Sequence, residues 1–242
     1  PAAAHFAALF ISAKIANQRS VLSRYMRDYH PTEGVEATFQ EALSQLKILQ
    51  KSLAYKRDRM TVMGVEGLAA QQYFALFHHL IRRPEFTFEG HSRRPPRDET
   101  NALLSFFYTI LAHEVSAALE TVGLDPYVGF LHTDRPGRAS LALDLMEELR
   151  AYLVDRFVLT VINKRQVAPS DFITQGENGY ILRDEPPKEL LAAWQQRKRE
   201  EIMHPFLQER IPIGLLPYAQ ALLLARCLRG DLDDYPVFLI QS

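Results

Sequence analysis

The chain has 242 residues, enough for one large domain or two small ones. Hydrophobic residues make up 47% and charged residues 24%, the mix of a globular protein that buries a sizeable core. That mix excludes a disordered tail, a collagen-like chain and a basic peptide. Formal net charge is −1, so any anion-binding surface has to be local. Arginine outnumbers lysine 21 to 7, a ratio that suits bidentate phosphate binding and that coding bias explains equally well.

The single cysteine, Cys227, excludes an internal disulfide framework and a Cys-x-x-Cys pair. A reducing, cytoplasmic setting fits. No apolar run reaches the roughly 18 residues of a membrane span, so no membrane partner is expected. The apolar start, residues 2–13, lacks a basic n-region and is interrupted by His5, which makes it a helix rather than a signal peptide. The chain begins at Pro1, as a fragment or processed product does.

Predicted elements are helical almost throughout. Residues 2–29 place Phe6, Leu9, Phe10, Ala13, Ile15 and Ala16 at helical spacing. Pro31-Thr32 punctuates this helix, and Thr32 is the expected N-cap of a second over 33–53. A third runs from Arg59 to Ile81. Residues 82–97 form a break with three prolines and five arginines. Asp98 is the expected N-cap of a long helix ending at Gly123. Pro126, Gly129, Pro136 and Gly137 mark an irregular loop. Ser140 is the expected cap of a helical stretch that continues, kinked, to Lys164. Residues 175–183 read as a strand or hairpin with Glu-Asn-Gly at the turn. Helices follow over 189–202 and 215–228, the last closed by Gly230. With no repeat and no low-complexity linker, the reading is a single all-α domain over 1–242 with short extended additions.

Several motifs fail. His113-Glu114 opens like a zinc-protease helix, but the second histidine would fall at Ala117. There is no Gly-rich loop followed by Lys-Ser or Lys-Thr, and no serine in a nucleophile elbow. His78 and His79 are adjacent on a helix and diverge.

Some charges stand in apolar company. Glu66 sits in a stretch otherwise free of charge, between Gly64 and Gly67; a carboxylate there is costly unless paired or metal-bound, and flanking glycines permit close approach of a ligand. His132 ends the mostly apolar 127–132 segment. Asp144 and Glu147, spaced i, i+3, share a helix face, where a divalent cation relieves their repulsion. Each has an ordinary alternative: an exposed helix edge for Glu66, a satisfied core histidine for His132, a solvated stripe for the two acids. Tyr73 follows Glu66 by two turns, and Asn101, Ser105 and Tyr108 share a face of the fourth helix, so these can line a polar cleft or face water. Arg59, Arg93, Arg94, Arg138, Lys164 and Arg165 are the expected local basic surface for DNA, beside which Tyr73, Asn101 and Tyr108 complete the DNA-binding set.

The segments Lys14-Ile-Ala-Asn-Gln18, Met63-Gly-Val-Glu-Gly67 with 70–74, 94–108, 123–132 with 137–148, His204-Pro-Phe-Leu207, 220–226 and 230–238 occur in an order that resembles the CRISPR-associated adaptation integrases, the Cas-one family, which insert spacers into CRISPR arrays. The likeness runs from about residue 10 to 240. It implies an all-α catalytic domain, a metal-dependent DNA integrase and endonuclease, with a single Mn²⁺ or Mg²⁺ held by a Glu, a His and a second carboxylate. It maps these onto Glu66, His132 and Glu147, with Asp144 as an adjacent essential acid, and the division of roles between Asp144 and Glu147 stays open. It also implies partners: double-stranded prespacer DNA, CRISPR leader-repeat DNA, a second copy in a homodimer, a Cas-two protein and a Cas-four nuclease. Members carry an N-terminal β domain, whereas this chain is expected to start near the first helix of the catalytic domain. Two carboxylates and an imidazole suit such an ion and leave positions for substrate oxygens. A non-catalytic helical scaffold or DNA-binding module and a nuclease acting on RNA remain the competing readings.

Overall fold

The computed structural model describes residues 2–55, 58–133, 135–176 and 179–240. Helix α1 (Ala2–Tyr29) buries Phe10, Ile11, Ile15 and Leu22 along one face and packs against α2 (Glu33–Ser52) and α3 (Arg59–Ala75). Thr32 does precede α2, but its side chain makes no capping bond. Asp58 performs that task for α3, accepting the Thr61 N–H at 2.9 Å. The third predicted helix is in fact two: the chain breaks at Leu76 and resumes as the short α4 (Phe77–Leu80).

Helix α5 (Glu99–Thr121) is the central element. Asp98 caps it as expected, accepting the Asn101 N–H at 2.7 Å. Gly123 ends it at φ +81°, the left-handed position glycine adopts without strain. By length and composition α5 could cross a membrane, which corrects the expectation that no segment reaches that length. Here Leu103, Leu104, Phe107, Leu111 and Val115 are wholly buried inside the fold, where α5 meets α6 (Ser140–Met146) and α9 (Leu216–Leu228).

The predicted kink before Lys164 is a π-helical turn, Arg150–Asp155, between α6 and α7 (Arg156–Asn163). Ser140 is not a cap: it is the first residue of α6, and its hydroxyl donates to the Thr133 carbonyl at 2.9 Å. Strands β1 (Phe172–Gln175) and β2 (Gly179–Leu182) pair antiparallel, Phe172 opposite Leu182 and Gln175 opposite Gly179. The hairpin therefore starts before residue 175, and the Glu-Asn part of its predicted turn lies outside the described residues. Helix α8 (Lys188–Arg199) is shorter than expected, because Ile202 belongs to a second antiparallel pair, β3 (Glu201–Met203) with β4 (Arg210–Pro212). The architecture is thus mostly helical, with two small antiparallel sheets.

Candidate metal centre and active site

Three helices meet at Lys14. Helix α1 turns this side chain inward, where it is 5% exposed. Its Nζ lies 2.5 Å from Glu66 Oε1 on α3 and 2.7 Å from Glu147 Oε2 at the end of α6. Arg150, on the π-helical turn, approaches Glu147 Oε1 at 3.4 Å and stacks over the Tyr108 ring at 4.6 Å. Burial opposes the Lys14 ammonium, yet Glu147 and Glu66 outweigh it and hold its pKa above the ordinary value. Burial also opposes the Glu147 carboxylate, but Arg150, Lys14 and His132 draw its pKa down to about 2. The Lys14 ammonium, at 2.7 Å, is the partner that buried Glu147 Oε2 meets here.

The 129–132 loop is fastened to α6 by Asp144, which is fully buried. Its Oδ2 accepts the N–H groups of Phe130 at 2.6 Å and Leu131 at 2.8 Å, and its Oδ1 accepts that of His132 at 2.9 Å. Oδ1 also lies 2.6 Å from His132 Nδ1. A carboxylate facing Nδ1 fixes the proton there and leaves the Nε2 lone pair for a ligand. Gly129 passes so close to α6 that a Cβ would meet Ser140 Cβ at 2.8 Å and Asp144 Oδ2 at 3.0 Å. Side-chain chemistry is excluded at that position so that the loop can reach the helix.

The structure therefore brings Glu66 to Glu147, and His132 to Asp144, with His132 within electrostatic reach of Glu147. It does not gather all of them at a common point: among the described residues no three of the His, Cys, Asp and Glu side chains cluster to hold one ion. The cause is electrostatic. The two glutamates converge on an ammonium, while the imidazole is drawn to the aspartate behind it. Tyr73 and Tyr108 are corrected from cleft-lining to internal residues. Both are buried, and their hydroxyls donate to Asp155 at 2.9 and 2.5 Å. Asn101 is likewise buried and spent on Asp98, Gly90 and Ser92.

Of the predicted basic surface, Arg93, Arg94 and Arg138 assemble beside Glu147: burial lowers the Arg93 pKa, and Arg150, Arg94 and Arg138 lower it further, against the pull of Glu147. Arg59 starts α3 half-buried. Lys164 and Arg165 do not join that group. Lys164 shares a separate cleft with Arg82, and Arg165 acts on Glu85.

Sequence reasoning missed four charged residues. Lys14 and Arg150 hold the glutamates. Asp155, pushed up to about 6 by burial against the two tyrosine hydrogen bonds, joins α3, α5 and the π-helical turn. Glu148, neighbour of Glu147, points the opposite way, and burial pushes it up to about 7. It accepts from the Tyr235 hydroxyl, from Gln220 Nε2 at 3.1 Å and from the Phe238 N–H at 2.7 Å. Asn17 Nδ2 donates to the Glu148 carbonyl at 2.7 Å, and His204 Nε2 meets Gln220 Oε1 at 2.9 Å. The signal available was a charged residue inside an apolar helical face, present at Lys14 as at Glu66.

The sequence profile described as CRISPR associated protein Cas1 matches residues 1–196. The chain is similar to a CRISPR-associated endonuclease Cas1 of Rhodospirillum rubrum, 53% identical over 93% of this chain and 67% of the relative. It is also similar to one of Leptospira interrogans, 43% identical over 95% of this chain and 90% of the relative. Among solved structures, a Cas6-RT-Cas1–Cas2 complex superposes with a TM-score of 0.83 at 27% identity, covering 100% of this chain and 26% of that one. A Cas1 protein from Thermotoga maritima gives 0.77 at 25% identity over 94% of this chain and 66% of its own. This chain thus spans about a quarter of the first of those structures and about two thirds of the second. Helices that carry Glu66, Asp144 and Glu147 fall inside the profile match, and on that match and those identities the chain belongs to the Cas1 family.

Proposed function

We propose that this chain is the catalytic part of a divalent-metal-dependent DNA endonuclease and integrase of CRISPR spacer acquisition, joining prespacer 3′-hydroxyls to the array by phosphodiester transesterification. The observation that carries the reading is the convergence of Glu66 and Glu147 on one cationic atom, Lys14 Nζ, in a largely buried site. A non-catalytic scaffold would keep these carboxylates only as partners of Lys14 and Arg150, and the Glu66→Ala and Glu147→Ala strand-transfer test below separates that reading from this one.

The residues fit Mn²⁺ or Mg²⁺. Glu66 and Glu147 turn carboxylate oxygens toward one point, held here by the Lys14 ammonium, a cation in the place where a metal ion would stand, and His132 keeps Nε2 free of its bond to Asp144. Glu66, Glu147 and His132 are the holding residues; Asp144, with every oxygen committed to the 129–132 loop, positions His132. When bound, such an ion polarises the phosphodiester and stabilises charge on the attacking or leaving oxygen. Arg150 supplies a fixed positive charge beside Glu147, and Arg93, Arg94 and Arg138 supply a phosphate-binding rim. Arg59, at the start of α3, extends it. Lys164 and Arg165 contact DNA away from this rim.

The partners proposed are duplex prespacer and leader-repeat DNA, a second copy of the chain, and a Cas2-type protein, in keeping with the Cas1–Cas2 complexes among the structural neighbours. A Cas4-type nuclease is included because relatives named as Cas4/Cas1 fusions match this chain. The proposed setting is the cytoplasm.

The test is strand transfer into leader-repeat DNA with Mn²⁺, with the partner protein present. Glu66→Ala, His132→Ala and Glu147→Ala are each expected to abolish transfer while duplex binding persists. Full transfer by Glu66→Ala ends this reading.

A further inference from the structure

A cleft of about 940 Å³ runs between the C-terminal half of α1, the chain at Arg82, and α7. Glu66, His132 and Glu147 are not among its lining residues. Six cations line it: Arg19, Arg24, Arg27, Arg82, Arg156 and Lys164. Asp28 is the sole acid among the described wall residues, and Arg24 and Arg27 share it at 3.2 and 3.3 Å. Arg19, Arg82, Arg156 and Lys164 make no direct ion pair with a carboxylate among the described residues, and Asp28 acts on Arg156 only at longer range. Arg19 bonds Gln50 Oε1 at 3.0 Å and leaves a buried Nε unbonded. Arg156 lies over the Tyr152 ring at 5.0 Å. Burial, with Arg24 and Arg197 beside it, pushes the Arg156 guanidinium down to about 10, which reports a cation poorly compensated by its surroundings.

Holding so many like charges around one concavity is self-repulsive in a chain of net charge −1, and it is relieved by a ligand that brings several negative charges at once. The walls also carry an aromatic platform. Tyr29 is 48% exposed, with Arg82 4.6 Å over its ring and donating to its hydroxyl at 3.3 Å and the Tyr25 ring 5.2 Å away, so a base stacks there by replacing the exposed Arg82 guanidinium. A positively charged groove with an exposed aromatic ring is the recognition surface for a single strand, whose phosphates meet the cations and whose unpaired bases stack. A duplex keeps its bases stacked on each other and has no use for the ring. We propose that this cleft binds single-stranded DNA, as a site separate from the basic rim of the active centre. The assignment rests on the DNA-processing function proposed above.

The experiment is fluorescence anisotropy of a labelled dT oligomer against the full chain over a series of salt concentrations. The triple variant Arg27→Glu, Arg82→Glu, Lys164→Glu changes residues exposed at the cleft wall. It is expected to flatten the dependence of log affinity on log salt by about 0.7 for each phosphate that the protein no longer neutralises, so by about 2 in all. The matching glutamine triple serves if charge reversal disturbs folding, with the same direction expected. Tyr29→Ala is expected to weaken dT binding about tenfold with the salt slope unchanged. An unchanged slope and affinity in a folded triple variant overturns the cleft assignment. Equal binding of inorganic polyphosphate with no effect of Tyr29→Ala overturns its nucleic-acid character. Loss of strand transfer is not the readout. If duplex DNA binds and is joined normally while dT binding ignores all of these changes, only the cleft proposal falls. If the wild-type chain binds no DNA of either kind, the proposed function falls with it.

Discussion

Lys14 sets the electrostatics of the candidate centre, because two carboxylates from separate helices meet only with positive charge between them. Lys14→Gln is expected to lower the stability of the metal-free protein by about 3 kcal/mol, the cost of a buried charge left unpaired. It is also expected to raise Mn²⁺ affinity roughly tenfold, since the ion no longer competes with an ammonium. Calorimetric titration of both proteins checks this, and equal affinities would show that the ammonium plays no part. Asp155 gives a pH signature. Its pKa rises from 3.8 to about 6 on folding, so the folded state binds the extra proton in that window and stability falls as pH rises through it. Asp155→Asn keeps the shape and lets one tyrosine oxygen accept, and is expected to flatten that slope in urea unfolding at pH 4 to 7; an unaltered slope would assign it elsewhere. Glu66, His132, Asp144 and Glu147 are legible in the sequence through apolar surroundings, spacing and family resemblance. Tyr73, Tyr108 and Asn101 are misread there because helical spacing fixes a face and not what lies opposite. The decisive partner, Asp155, is 82 residues from Tyr73.

At the scale of elements, the loop carrying His132 is held by contact rather than by regular structure. Gly129→Ala is expected to cost about 1–3 kcal/mol through overpacking against Ser140 and Asp144. It should also displace the loop, so that metal affinity falls together with melting temperature; a variant that melts normally would show that the neighbours yield freely. Helix α5 is readable because its apolar period, its Asp98 cap and the closing Gly123 agree; α9 is readable from its apolar period and Gly230, and α1 from its apolar period up to Pro31. The split at Leu76 is not, since no proline or glycine stands there and the apolar pattern continues through it. Nor is β3, where Glu201 and Ile202 extend the helical pattern of α8 until Pro205 intervenes. There, pairing with β4 overrides local preference. The kink before Lys164 can be read from the sequence, but its π-helical form cannot. That extra residue per turn lets Arg150 face the glutamates while Asp155 faces the tyrosines.

At the scale of the whole molecule, the tail lies along α1. His5 contacts Asp234 at 2.9 Å, Phe10 packs edge-on to Tyr235 at 5.5 Å, and Asn17 Oδ1 accepts the Ile240 N–H at 2.8 Å. Tyr235→Phe removes a donor to buried Glu148 and is expected to cost about 1–3 kcal/mol and to slow strand transfer. Normal stability in that variant would show that the Phe238 amide and Gln220 suffice. None of this is readable from periodicity, because a segment without regular structure leaves no repeating pattern; only the family likeness marks 230–238 as significant. The bond from Phe238 to Glu148 spans 90 positions and that from Ile240 to Asn17 spans 223. On a ribosome, where early segments fold before later ones exist, the glutamate next to Glu147 has no amide to hold it until residue 238 has emerged. A nascent chain that has not yet reached Phe238 accordingly lacks the contacts that hold the residue beside Glu147, so the candidate centre is finished late in translation of this segment.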